Sequence, residues 1–253
     1  MNEGAFEMSL KDHPMTELLK RAVHCHGGLA RWEQLNALAA SISITGAIWA
    51  PKGQPDALVD IRVEAQLHTE HVVIHQLPRR KKFIFTPQRI TQETESGEPL
   101  GARDNPRESF KGQTQLSPWD DLHLGYFCGY ALWTYLTVPF LYTRPGFGTE
   151  EIAPWDEDGE RWRVLQVTFP EYVASHSRVQ SSYFGDDGLL RRHEYTVDVM
   201  GGARGVNYAS DYREVDGILV PTKRRIYAYD DRKNKVPAPL LIAIDISDIA
   251  FAE

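Results

Sequence analysis

Two cysteines in 253 residues, Cys25 and Cys128, are too few for a disulfide framework, and free thiols in a reducing compartment are the simpler reading. A basic excess is missing as well: 28 Lys plus Arg against 35 Asp plus Glu leave a formal charge of −7. That argues against a nucleic-acid surface. The one basic run, Arg79-Arg80-Lys81-Lys82, precedes the apolar "FIF" and reads as the solvated start of a strand. The opening "MNEGAFEMSLKDHPM" carries acids where a secretory leader is basic, and no apolar stretch follows it. From this we expect a cytoplasmic protein with a disordered tail over 1–13. Serine-elbow, phosphate-loop, dinucleotide and H-E-x-x-H motifs are all lacking, so no cofactor and no metal are expected. Gly201-Gly202-Ala203-Arg204-Gly205 joins two strand-like runs and reads as a turn.

What the sequence does contain is one long uncharged segment, Leu122 to Thr143. Its length just suffices to cross a membrane, but four tyrosines, three threonines, His123 and Pro139 make it only modestly apolar. Leu122, Leu124, Phe127, Leu132, Trp133 and Leu136 fall on every side of a helix, which predicts a helix buried all round and no transmembrane span. Asp120 or Ser117 can cap its start, and Pro139 ends or kinks it. Gly125 and Gly129 each cost about 1 kcal/mol relative to alanine in a helix interior. They predict close approach of another backbone.

Around this helix the period is two. "ALVDIRVEAQL" alternates, "HVVIHQL", "KKFIFTP" and "RITQETE" follow at short spacing, and "SISITGAIWA" precedes them. Asp-Gly pairs between alternating runs at "DEDG", "GDDG" and Asp216-Gly217 predict hairpins. Two short helices, after Pro14 and over "LARWEQLNAL", come first. The expected fold is α+β: a strongly curved antiparallel sheet, an incomplete barrel of ten or eleven strands, enclosing a central apolar helix. It forms one domain over 14–253, with the Gly-, Pro- and charge-rich segment 96–117 as a surface loop or lid.

"HGGLARWEQLNAL" leading into a first strand, the long hairpins, the enclosed helix, and "DDGLLRRHEY" followed by "YREVDGILVPTKRRIY" together resemble the lipoprotein-carrier (LolA/LolB-like) superfamily. That resemblance implies an incomplete barrel holding acyl chains in an apolar cavity. No position matches the carriers' ligand-gating arginine, so no residue role is transferred, and the chain looks like a cytoplasmic branch without a signal peptide.

Candidate functional residues follow from the strand pattern. On "SHSRVQSSYF", His176 and Gln180 share a face, and on "LLRRHEYTVDV" His193 and Tyr195 share one, opposite Arg192 and Glu194. A strand polar on both sides is either an edge or the wall of a polar cavity, and we read the cavity. The expected ligand contacts are Tyr126, Tyr130, Trp133, Gln180 and His193. The candidate catalytic groups are Asp120, His123, His176, His193 and Tyr195. Asp120 and His123, three apart, read first as a helix cap and a satisfied histidine, and second as half of an acid–base pair. His24 and His26 read as a helix end whose imidazole meets backbone carbonyls. The leading functional expectation is binding of a hydrophobic or amphipathic small molecule, lipid-like or polyketide/terpenoid-like, between sheet and helix. The alternative is a cofactor-independent isomerase, cyclase or hydrolase using the cavity His, Asp and Tyr groups.

Overall fold

The computed structural model describes residues 15–253, so the tail expected over 1–13 lies outside the described residues. Helix α1 (Glu17–Cys25) starts at Thr16, whose side chain accepts from the Leu19 amide at 3.2 Å, and buries Leu18, Leu19, Ala22 and Val23. It stops where His26 Nδ1 meets the Ala22 carbonyl at 2.7 Å. A short helix α2 (Leu29–Trp32) follows.

Six strands then meander: β1 (Ala37–Thr45), β2 (Ile61–Gln66), β3 (Val72–Gln76), β4 (Lys81–Thr86), β5 (Arg89–Thr94) and β6 (Pro99–Asp104). Helix α3 (Asp121–Thr137) comes next. The second half holds β7 (Gly148–Glu157), β8 (Glu160–Thr168), β9 (Val179–Phe184), β10 (Leu190–Val197), β11 (Ala203–Val215), β12 (Ile218–Tyr229), the two-residue β13 (Lys235–Val236) and β14 (Ile242–Ala252). Asp158-Gly159 and Asp216-Gly217 both have positive φ at the two central positions, as type I′ hairpin turns require.

The fourteen strands of the described residues form one antiparallel sheet in the order β6-β5-β4-β3-β2-β1-β14-β12-β11-β10-β9-β8-β7, with β13 beside β12. The last long strand closes the gap between the halves, pairing β1 on one side and β12 on the other. The sheet stays open, and its two edges, β6 and β7, are the strands on either side of α3 in the chain. The expected ten or eleven strands are too few. The uncounted ones are inconspicuous: β6 is an exposed edge carrying Pro99 and Gly101, and β13 is too short to alternate. Segment 96–117 therefore holds a strand and a 3-10 turn (Pro106–Phe110), with Phe110 buried.

Every residue of α3 from Leu124 to Thr137 is buried, although no hydrophobic stripe distinguishes one side. The curved sheet accounts for this by covering the helix from both halves. Gly125 and Gly129 lie against β4, where an added Cβ would sit 2.8 Å from the Phe83 ring and 2.3 Å from Phe85 Cγ. The close approach at the two glycines is thus made by the roots of two aromatic side chains and not, as expected, by another backbone. The helix ends at Thr137, one residue before the extended Val138 that precedes Pro139.

Strand β10 is central, between β9 and β11, so its two polar faces do not mark an edge. Its convex face has a small core of its own around Trp162, Val164 and Tyr183. There the fully buried Arg192 lies among the rings of Trp155, Tyr183 and Tyr208 and pairs with Glu157 at 2.5 Å and Glu194 at 2.9 Å. Its concave face meets α3.

Candidate functional site

Between α3 and strands β9–β12 the core is polar. His176, on the connection entering β9, faces Tyr130 OH through Nδ1 at 3.3 Å and Tyr135 OH through Nε2 at 2.8 Å. Tyr135 OH continues to Tyr195 OH at 2.5 Å, and the His176 ring stacks on Tyr195 with centroids 4.1 Å apart. Gln180 donates to the Ser177 carbonyl, and Tyr142 OH meets Ser182 at 2.8 Å. Arg224 of β12 donates to the Tyr135 carbonyl at 2.7 Å, its guanidinium 5.0 Å from the centre of the Tyr135 ring. His193 and Asn207, paired across β10 and β11, offer buried polar atoms that have no hydrogen-bond partner among the described residues.

Burial sets the protonation of this cluster. It pushes the His193 imidazole down to about 3, with the Arg224 charge adding to the effect. Burial likewise holds His176 well below its ordinary value, and His193 and Arg107 act in the same direction. The Tyr135 hydroxyl is pushed up to about 12, and Tyr130 and Tyr195 well above their ordinary value, again by burial first. At neutral pH the imidazoles and phenols are all uncharged. None has the near-neutral pKa that suits a general acid or base. The geometry makes a hydrogen-bonded wall behind α3.

Two clefts open in front of that wall, at the rim of the sheet. The first, of about 350 Å³, lies between Arg107, Asn105, the β4–β5 turn at Pro87-Gln88, and the connection Phe169–Arg178. Arg107 spans it, donating to the Ser175 carbonyl at 2.9 Å and to Asp198 at 3.1 Å. The second, of about 290 Å³, shares Pro87, Gln88, Tyr172 and Val173 with the first and continues to Glu70 and Arg144. Tyr126 backs the first cleft and Trp133 the second. These side chains are seven apart on α3, two turns along one face, so a single helix supplies the rear of both spaces. Trp133 is fixed by its indole N–H donating to the Gln66 carbonyl at 2.7 Å.

A further groove of about 420 Å³ lies at Ser41–Ser43, where β1 parts from β2, walled also by Leu77 and Ile246. It receives no side chain from α3, and its Asp245 is paired with Arg225 at 2.7 Å.

The residues expected from sequence therefore divide into three places. Tyr126 and Trp133 back the rim clefts. Tyr130, His176, Gln180, His193 and Tyr195 stand behind them in the sealed polar cluster, lining neither cleft. Asp120 and His123 form the cap of α3: Asp120 accepts from the His123 amide at 2.8 Å and pairs with Arg103, while His123 Nε2 faces the Ser109 carbonyl at 3.2 Å. Arg107, Glu70, Arg144 and Tyr172 escaped sequence reasoning because each sits in a connection with no period. The available signal was a single charge or aromatic set among apolar neighbours, as in "FPEYVAS" and "FLYTRPGF".

No protein-family model matches the sequence, and no curated protein is similar to it. Solved structures do resemble it. A DUF1329 family protein from Desulfovibrio piger is 12% identical with a TM-score of 0.51, over 92% of this chain and 91% of the other. A candidate outer membrane lipoprotein-sorting protein domain from Vibrio parahaemolyticus gives the same identity, TM-score and coverage. A LolA superfamily protein from Nitrosomonas europaea is 11% identical with a TM-score of 0.49, over 93% and 92%. Among the described residues no helix is long and apolar enough to cross a membrane. At these identities the likeness is one of fold alone, and the fold shared with the Desulfovibrio piger and Vibrio parahaemolyticus structures is a large, curved, open antiparallel sheet packed around a helix.

Proposed function

We propose that this protein binds a hydrophobic or amphipathic small molecule, lipid-like in shape, in the paired clefts at the rim of the sheet. One observation carries the reading: two contiguous spaces of about 350 and 290 Å³ share the walls Pro87, Tyr172 and Val173 and are backed by aromatic side chains two turns apart on one helix. Spaces of this size and mixed lining are what small-molecule sites use. The shared fold supports the same reading, since one structural neighbour is described as a candidate lipoprotein-sorting domain. The rim is favoured because both spaces open there, while α3 from Leu124 to Thr137 and the uncharged His–Tyr cluster beside it are buried. That cluster supplies a stiff, hydrogen-bonded backing, and its imidazoles line neither cleft. Unpaired Cys25 and Cys128 support a reducing, cytoplasmic setting as part of the proposal.

The test is titration with Nile red, an uncharged dye that fluoresces in apolar surroundings, alongside native mass spectrometry of protein purified from its own host. Saturable dye binding, weakened severalfold by Tyr172→Ala, is expected. Tyr172 is half exposed, so the substitution leaves the core untouched. Dye that fails to saturate, or that ignores Tyr172→Ala, removes the proposal.

A further inference from the structure

The second cleft contains an ionic arrangement that the binding reading does not by itself require. Glu70, at the bend after β2, is buried, yet it lines this cleft. One of its oxygens, Oε2, accepts from the Ala174 amide at 3.0 Å; the other, Oε1, has no partner among the described residues and is withdrawn from bulk water. Burial raises the Glu70 carboxyl well above the usual carboxylate range, against the pull of the Ala174 amide and of Arg144 and Arg107. A protonated carboxyl that accepts an N–H on one oxygen carries its proton on the other, so Oε1 is a hydrogen-bond donor. Arg144 lines the same cleft, its guanidinium 5.6 Å from the centre of the Trp133 ring. The neighbouring rim arginines are committed, Arg107 to Asp198 and Arg103 to Asp120, whereas Arg144 forms no ion pair among the described residues.

A fixed positive charge and a sheltered O–H in one cleft, beside Trp133, Tyr172 and Val173, define a ligand class. Both groups donate, and neither offers a free acceptor to an amine. An anion with two acceptor oxygens satisfies both through charge-assisted bonds. From there the space runs past Val173 and Tyr172 into the first cleft, where Pro87, Phe169, Pro170 and Ala174 offer apolar wall to a short alkyl chain between the paired charges of Arg107 and Arg178.

We propose that Arg144 and Glu70 form the headgroup site for an amphipathic monocarboxylic acid, whose carboxylate lies between the guanidinium and Glu70 Oε1 while its alkyl chain occupies that shared space. This rests on the rim-binding reading and adds the identity of the polar end.

Three ligands of equal chain length separate the two ideas: decanoate, decanol and decyltrimethylammonium, each competing with Nile red at pH 7. Decanoate is expected to displace the dye at a concentration about tenfold lower than either of the others, as a charge-assisted contact requires. Arg144→Gln is expected to abolish that preference, so that decanoate and decanol displace the dye at the same concentration within the same variant. Glu70→Gln, which keeps an N–H donor in the same shape, is expected to retain most of the preference, and Glu70→Val to lose it. Thermal melts confirm that each variant is folded, and the wild-type comparison stands without any variant. If decanoate shows no advantage over decanol, or keeps its advantage in Arg144→Gln, the headgroup site is refuted while the clefts stand. If none of the three displaces bound dye, or no dye binds, the underlying binding reading fails instead.

Discussion

Gly129→Ala sets helix propensity against packing, and the structure says which wins. In an isolated helix the exchange would stabilise by about 1 kcal/mol. Here the new methyl would lie 2.3 Å from Phe85 Cγ and 2.6 Å from Phe85 Cβ, where carbon atoms prefer about 3.5–4.0 Å. The contact is with the root of the ring, so a rotamer change cannot relieve it. Phe85 is itself fully buried in β4, between β3 and β5, and packs edge-on against Tyr126. The helix or the strand must therefore move by more than 1 Å, roughly, and overpacking of this kind costs about 1–3 kcal/mol or somewhat more. Taking the upper end and subtracting the propensity gain leaves a net loss of about 2 kcal/mol. For a protein of this size that is a fall in Tm of roughly 4–8 °C. Urea and thermal unfolding of Gly129→Ala, Phe85→Leu and the double variant form a mutant cycle. The double variant should be more stable than the sum of the single losses, because the smaller leucine makes room for the methyl. A Gly129→Ala protein as stable as the parent would refute the placement of α3 against β4.

Buried histidines make a second prediction, in pH. Burial holds His26 at about 4 against an ordinary 6.5, with the Ala22 carbonyl pulling the other way. The unfolded chain takes up that proton near pH 6.5 and the folded one only near 4, so stability is complete above 6.5 and drains as pH falls through this window. The loss from His26 alone is about 3 kcal/mol. His193, held at about 3, continues the loss further down. Melts at pH 7.5 and 4.5 that agree within a degree or two would contradict both burials. Tyr135→Phe strands His176 Nε2 and Tyr195 OH together, so chemical denaturation should show a loss of about 2 kcal/mol or more, against about 1 kcal/mol for Tyr142→Phe, which breaks one bond to Ser182. Asp120→Ala should cost about 1 kcal/mol as the loss of a cap, without altering Nile red binding. A collapse of dye binding in that variant would return Asp120 and His123 to the functional site.

Periodicity made the architecture readable. The alternation of Ile61, Val63 and Ala65 with Arg62, Glu64 and Gln66 is the burial pattern of β2, and Asp158-Gly159 and Asp216-Gly217 turn where Asp-Gly pairs should. The helix apolar on all sides is buried on all sides. Reading stopped where period stops. Strand β6 faces water at an edge, so nothing forces its residues to alternate. Side chains of the rim clefts come from connections, whose positions depend on pairings made far away in sequence; Glu70 meets Ala174 across 104 residues. The polar face of β10 was visible as His193 and Tyr195, but whether it bordered a space or another polar surface depended on the tyrosines of α3. Tyr135 meets Tyr195 there, while His193 has no hydrogen-bond partner among the described residues.

Photolabelling with an alkyl chain that bears a diazirine, followed by peptide mapping, tests the central claim most directly. Our account predicts labels concentrated on Pro87-Gln88 and Tyr172-Val173, competed away by unlabelled alkyl ligand. Labels gathered instead at Ser41–Ser43 and Ser247, or scattered without competition, would contradict it.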